Sequence, residues 1–166
     1  MSRLVAAYYR SRTMAGRITG AFWAAVLLLS CSQETVDELP VQVVGDLHDT
    51  MTWVLDPAAD VVWGSAGWIL TAEGTEDLTP TTEEGWDRVR HSAAVLAESG
   101  NLLLLPHLAP ETEAEAWIEF SLGMTRVAQE ALAAVDAKDP AALFETGGHL
   151  YNVCLACHQV YARDEQ

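Results

Sequence analysis

Positive charge is scarce in this 166-residue chain. Nine Lys and Arg residues stand against 24 Asp and Glu residues, which gives a net charge of −15 at pH 7. Proteins that hold nucleic acid neutralise its phosphates with clustered Lys and Arg side chains. The composition therefore excludes a nucleic-acid-binding protein.

Cysteines and long apolar runs are also few. Three cysteines are too few for the disulfide scaffold of a small secreted protein. The longest apolar run, residues 18–29, has 12 residues and is too short to span a bilayer comfortably. Half of the residues are hydrophobic, which excludes a disordered chain, and the length suits one domain.

The few basic residues are concentrated at the N-terminus, where acidic residues are lacking. No Asp or Glu precedes Glu34, so the first 30 residues carry +4 from four arginines: Arg3, Arg10, Arg12 and Arg17. The remainder has five basic and 24 acidic residues, or −19. A basic segment followed by a 12-residue apolar run is typical of a signal peptide, which we place at residues 1–30.

The end of this segment resembles a bacterial lipobox. Leu28-Leu29-Ser30-Cys31 places a small residue before a cysteine, and Cys31 is the predicted lipidation site. Ser32 is not an inner-membrane retention signal, which favours the outer membrane facing the periplasm. Residues 31–39 form a polar tether. An uncleaved N-terminal anchor helix is the alternative.

Residues 40–166 show helical periodicity and few strand signals. Asp56-Pro57 predicts a kink or restart within the first helix, and Thr81 with Glu84 has the spacing of a capping box. The acidic stretch 71–80 is predicted to be a loop. The fold prediction is all-α, an antiparallel up-down four-helix bundle. Its helices are predicted at residues 41–70, 81–101, 110–138 and 139–163.

Several side chains of these helices are predicted to pack in the core. Met124 is one of them. Five tryptophans at apolar-stripe positions are the others: Trp53, Trp63, Trp68, Trp86 and Trp117. His91, His107 and His149 are predicted to be structural or exposed.

The last predicted helix contains Cys154-Leu155-Ala156-Cys157-His158, which has the CxxCH pattern of haem c attachment. Two cysteines three residues apart on a helix face the same way, so both thiols can add to the vinyl groups of one porphyrin. The adjacent His158 then supplies an imidazole nitrogen as the proximal iron ligand. Cys31, Cys154 and Cys157 together account for all three cysteines.

Other interpretations of the two cysteines are open. A thioredoxin-like CxxC opens a helix after a strand, and no such strand is predicted here. A zinc site needs a further ligand, for which His149 is the candidate. A third interpretation is a chance CxxCH match in a haem-free helical lipoprotein.

A helical bundle with CxxCH near its C-terminus resembles the cytochrome c′ family, the class II c-type cytochromes. Tyr161 occupies the place of an aromatic residue that follows the motif in that family, whereas Arg163 lies one position later than the family's arginine. The segment from Gly85-Trp86-Asp87 to Gly100-Asn101 resembles the family's second helix and the loop after it. The resemblance implies one covalently attached haem c. Family members often form homodimers through their first two helices, so a homodimer is a second implication of the resemblance.

The distal position of the iron has three possible occupants in this sequence. Met51 matches the place of the methionine on the first helix of six-coordinate family members, although Leu47 stands where the family commonly has arginine. His48 lies three residues earlier on the same helix face. An empty or apolar distal side is the third option, as in members that bind small gases.

Two functions follow from these options. The first is an electron-transfer protein of the cell envelope, whose acidic surface attracts a redox partner with a basic docking patch and whose lipid holds it at the membrane. The alternative is a five-coordinate haem protein that binds or senses nitric oxide or carbon monoxide. The acidic residues are scattered over polar faces, so the sequence does not predict an enzyme.

Overall fold

The computed structural model describes residues 41–162, and most of them are helical. The all-α prediction is therefore confirmed at the level of fold class. The predicted signal peptide, Cys31 and the rest of the tether lie outside the described residues, as does Arg163. The helices are Leu47–Thr50 (α1), Asp56–Trp63 (α2), Glu83–Leu102 (α3), Ala114–Asp136 (α4) and Pro140–Tyr161 (α5). Within residues 41–162, no helix is both long and apolar enough to span a membrane.

A π-helical turn, Met51–Leu55, joins α1 to α2. Pro57 lies at the start of α2, where its ring would clash with the carbonyl of residue 53 in a continuous α-helix. The wider turn before it relieves this clash, and the N–H of Asp56 donates to the carbonyl of Met51. The predicted restart at residues 56–57 is confirmed, but Asp56 makes no capping hydrogen bond.

A small β-hairpin replaces the loop predicted after the first helix. α2 ends at Trp63, and Trp68–Thr71 (β1) pairs antiparallel with Gly74–Asp77 (β2). The predicted helix to residue 70 and the loop over residues 71–80 are both wrong here. Every residue of both strands is exposed, so no hydrophobic alternation marks the hairpin in the sequence.

The ends of the longer helices follow capping rules with small shifts. Asp139 caps α5 as predicted, because its carboxylate accepts from the N–H groups of Ala141 and Ala142. The cap of α3 is Thr82 rather than Thr81, and its hydroxyl accepts from the N–H of Gly85. α4 begins at Ala114, four residues after the predicted Pro110.

The core lies where α3, α4, α5 and α2 pack together. Trp86, Trp117 and Met124 are buried as predicted. The prediction is wrong for Trp53 and Trp68, which are 61% and 67% exposed. The histidines predicted to be structural or exposed are all exposed: His91, His107 and His149.

α3 and α4 approach each other closely at Gly100. A Cβ at this position would lie 2.0 Å from Oγ1 of Thr125 and 2.5 Å from the carbonyl oxygen of Ser121. Thr125 also donates a hydrogen bond of 3.0 Å to the carbonyl of Ala97. Only glycine fits at residue 100, because any side chain would overlap α4.

Candidate functional site

The residues of the CxxCH motif lie in the wall of an apolar cleft. Its empty space is about 830 Å³, and part of this space is open to solvent. α5 contributes Cys154, Cys157 and His158, and the π-helical turn and α2 lie opposite. The remaining wall comes from α3, the residue after it and α4: Leu96, Leu103, Phe120, Ser121 and Met124.

Helical spacing places the three motif residues on one face of α5. Residues at positions i, i+3 and i+4 are neighbours on a helix surface, and Cys154, Cys157 and His158 have this spacing. Both cysteines are partly buried unpaired thiols, whereas the His158 side chain is exposed. The face can therefore present two thiols and an imidazole to one planar ligand.

Both thiols are held in the neutral form. Burial raises the pKa of Cys154, and the carboxylate of Asp56 raises it further. Burial, with a smaller contribution from Cys154, raises the pKa of Cys157 to about 11. Desolvation disfavours a thiolate, as does the negative end of the helix dipole, which lies near because α5 ends at Tyr161.

These properties argue against the alternative interpretations of the cysteines. A thioredoxin-type CxxC has a lowered thiol pKa at a helix N-terminus, whereas this pair lies in the last two turns of α5. The two cysteines belong to no cluster of three metal-ligating side chains in residues 41–162. His149 is exposed and lines neither the cleft nor the cavity beside it. His149 therefore does not supply the further ligand that a zinc site on these cysteines needs.

Asp46, His48 and Asp49 do lie close enough together to share an ion. However, the carboxylates of Asp46 and Asp49 each accept a hydrogen bond from the other's backbone N–H, at 2.8 and 3.3 Å. This capping box explains their proximity without a metal.

The π-helical turn brings Met51 and Asp56 to the same cleft. Residues five apart would point in different directions on an α-helix, but a π-helical turn spaces its hydrogen bonds by five residues. Met51 is partly buried against the core. Asp56 is the single acidic residue in an otherwise mostly apolar wall, and it lies opposite Cys154, whose pKa it raises.

Met51 and His158 also line a second cavity, which adjoins the cleft. His48 lines this cavity but not the cleft, and its side chain is exposed. The structure thus brings together Met51, both cysteines and His158, and it places His48 at the margin.

Two hydrogen bonds brace the elements around the cleft. Nε1–H of Trp63 donates to the carbonyl of Gly147 at 3.0 Å, which joins α2 to α5. The hydroxyl of Tyr161 donates to the carbonyl of Glu113 at 2.7 Å, which joins the end of α5 to the start of α4. The ring of Tyr161 also meets Trp117 edge-on at 5.0 Å between centroids. Tyr161 is thus in a position to hold the last turn of α5, on which His158 lies.

Several cleft residues were not predicted from the sequence as site residues. Phe120 and Tyr151 line the cleft, and Met124 does so as well as belonging to the core. The sequence predicts Asp56 only as a helix cap. The five-residue spacing between Met51 and Asp56 gives no signal in the sequence, because residues five apart share one face of a helix only when the turn is π-helical.

Comparisons with protein-family models, with curated proteins and with solved structures find no match for this chain. The interpretation of the cleft therefore depends on its own residues and geometry.

Proposed function

We propose that this chain is a haem c-binding electron-transfer protein of the bacterial cell envelope, built as a four-helix bundle of cytochrome c′ type. One observation carries the proposal: Cys154, Cys157, His158 and Met51 all line the same apolar cleft. The sequence joins the first three in one motif, whereas Met51 lies a hundred residues away along the chain.

The cleft residues fit a covalently held haem in their chemistry. Cys154 and Cys157 would form the two thioether links, and His158 would be the proximal ligand. Apolar side chains such as Leu55, Phe120 and Leu96 would surround the macrocycle and keep water from it. When bound, haem c would supply an iron that exchanges one electron between its ferric and ferrous states.

Met51 is the distal ligand in this proposal. A thioether ligand raises the reduction potential relative to a second histidine. Met51 lies in the wall of the cleft with His158, whereas the exposed His48 does not, and this favours methionine over histidine. The partial burial of Met51 leaves one alternative, in which it yields its place to nitric oxide or carbon monoxide.

The first experiment tests haem attachment and ligation together. Protein matured with haem should keep its haem stain on a denaturing gel, and Cys154→Ala with Cys157→Ala should lose it. The ferric parent should show the weak long-wavelength band of methionine-to-iron ligation. Met51→Ala should abolish this band and lower the potential, whereas Met124→Leu, a control in the same cleft, should keep both.

Two results would contradict this proposal. Absence of a haem stain from the parent protein would contradict both the electron-transfer and the gas-binding proposals. A high-spin ferrous parent that takes up carbon monoxide readily, with the same spectrum in Met51→Ala, would replace the electron carrier by the gas-binding alternative.

The proposed location depends on the N-terminal sequence. The predicted signal peptide and lipidation at Cys31 would hold the haem domain at a membrane in the periplasm. Cys31→Ser should move the protein from the membrane fraction to the soluble fraction, and an unchanged distribution would favour an uncleaved anchor.

A further inference from the structure

An exposed apolar surface lies beside the cleft, and three of its five members do not line the cleft. We call it the aromatic surface; its members are Trp63, Trp68, Leu70, Phe144 and Tyr151. Leu70 is 84% exposed, Trp68 67%, Phe144 56% and Tyr151 54%. Large apolar side chains that are exposed together in one patch mark interaction sites more often than isolated ones do.

Ring contacts join four of the five members in pairs, and Leu70 lies on the same face of β1 as Trp68 because it is two residues further along the strand. Trp68 of β1 meets Phe144 of α5 edge-on, with 5.8 Å between ring centroids. Trp63 meets Tyr151 in the same way at 6.0 Å. A groove lies between the two pairs, with glycines at residues 147 and 148 in its wall and no charged side chain lining it. Trp63 and Tyr151 also line the cleft, so the groove and the cleft share a wall.

The charge around the aromatic surface has one sign. Residues 41–87 contain ten Asp and Glu and no Lys or Arg, and residues 139–162 also contain no Lys or Arg. On the hairpin, Asp77 is paired with Trp68, so the two side chains lie on the same face. Glu145 follows Phe144 on α5 and is exposed. The aromatic surface is therefore an apolar patch with a carboxylate rim.

This charge pattern distinguishes between the classes of occupant. A second copy of the chain would bring the same carboxylates against these, and anionic lipid headgroups would be repelled in the same way. A protein with basic residues around an apolar contact would instead pair with the rim while its centre fills the groove.

We propose that the aromatic surface is the docking site for a basic redox protein, which would be seated on the wall of the haem cleft. This inference depends on the proposed function, because it names the partner surface of the same site. The hairpin then contributes residues that the helices do not supply: Trp68, which contacts Phe144 of α5, and Leu70 on the same face of β1. A small number of large side chains usually provides most of the binding energy at such an interface.

The experiment measures binding of mitochondrial cytochrome c, a small basic protein, to the haem-loaded full chain by calorimetry at low ionic strength. Leu70→Ser should weaken binding by roughly five- to tenfold. The matched control is Leu122→Ser. Leu122 is 46% exposed on α4, which contributes no member of the aromatic surface, so the affinity of this variant should stay within about twofold of the parent. Asp77→Lys should weaken binding and flatten its salt dependence, whereas Glu130→Lys on α4 should change binding little.

Several outcomes would overturn the inference. No binding of the basic protein at low salt is one, and equal loss in Leu70→Ser and Leu122→Ser is another. Self-association of the parent, or binding to vesicles of neutral lipid, that Leu70→Ser abolishes would assign the surface to a second copy or to a membrane instead. An unchanged haem stain and spectrum in each variant separates a failure of docking from a failure of the haem proposal.

Discussion

The packing of α3 against α4 differs from the packing of α5 against the first helical segment. α3 and α4 meet without a gap at Gly100, and ion pairs of Arg90 with Asp136 and of Lys138 with Glu83 link the start of α3 to the end of α4. The π-helical turn and α5 instead leave a cleft between them, and exposed aromatic side chains lie beside it.

This difference shows that the two helix pairs have different structural roles. Close packing excludes ligands, because protein interiors leave few voids larger than a water molecule. A cofactor site needs space that its own side chains do not fill. The α3–α4 pair therefore acts as a scaffold that also supplies apolar residues to the cleft wall, whereas the segment from Met51 to Trp63 and α5 supply the residues that could bind a cofactor.

The largest expected effect comes from a side chain at the closest contact of the scaffold. Gly100→Ala should lower the free energy of unfolding by about 3 kcal/mol, since its Cβ would overlap Thr125 and the backbone at Ser121. Urea denaturation of the haem-free protein measures this loss.

The same substitution on α5 is the matched control. No atom lies within 4 Å of a Cβ at Gly148 of α5, so Gly148→Ala should raise the unfolding free energy by about 0.5–1 kcal/mol through helix propensity. Equal losses at both positions would contradict the contrast between scaffold and cleft.

A smaller effect is expected where α2 is joined to α5. Trp63→Phe removes the hydrogen bond to the carbonyl of Gly147 and should cost about 1–2 kcal/mol in the same assay. Trp53→Phe changes an exposed tryptophan on the neighbouring π-helical turn and should stay within about 0.5 kcal/mol of the parent. If the two variants match, the Trp63 bond does not brace the cleft.

The smallest expected effect concerns charge inside the cleft. Asp56→Asn should lower the pKa of Cys154, because the carboxylate is the second cause of its increase after burial. The pH at which alkylation of this thiol accelerates in haem-free protein should therefore fall, and the reaction at pH 8 should be faster. Asp60→Asn removes an equal charge from α2 without touching the cleft and should leave the rate unchanged. Equal rates for the parent and Asp56→Asn would show that the Asp56 charge does not reach Cys154.

The sequence predicted the long helices well, because their signals are local. The apolar stripes of α3, α4 and α5 repeat every three or four residues, and Asp139-Pro140 marks the start of α5 within the chain itself. The placement of Cys154, Cys157 and His158 on one helix face also followed from spacing alone. The burial of Trp117 and Met124 followed from the same stripes.

Tertiary structure decided what local signals do not encode. Trp53 and Trp68 have the same apolar character as Trp117, but the elements around them leave them exposed, because burial depends on which surfaces a fold brings together. The hairpin over residues 68–77 shows no alternation of buried and exposed residues. Only the folded chain brings Met51 to the wall that His158 shares, since a contact across a hundred residues leaves no periodic trace in the sequence.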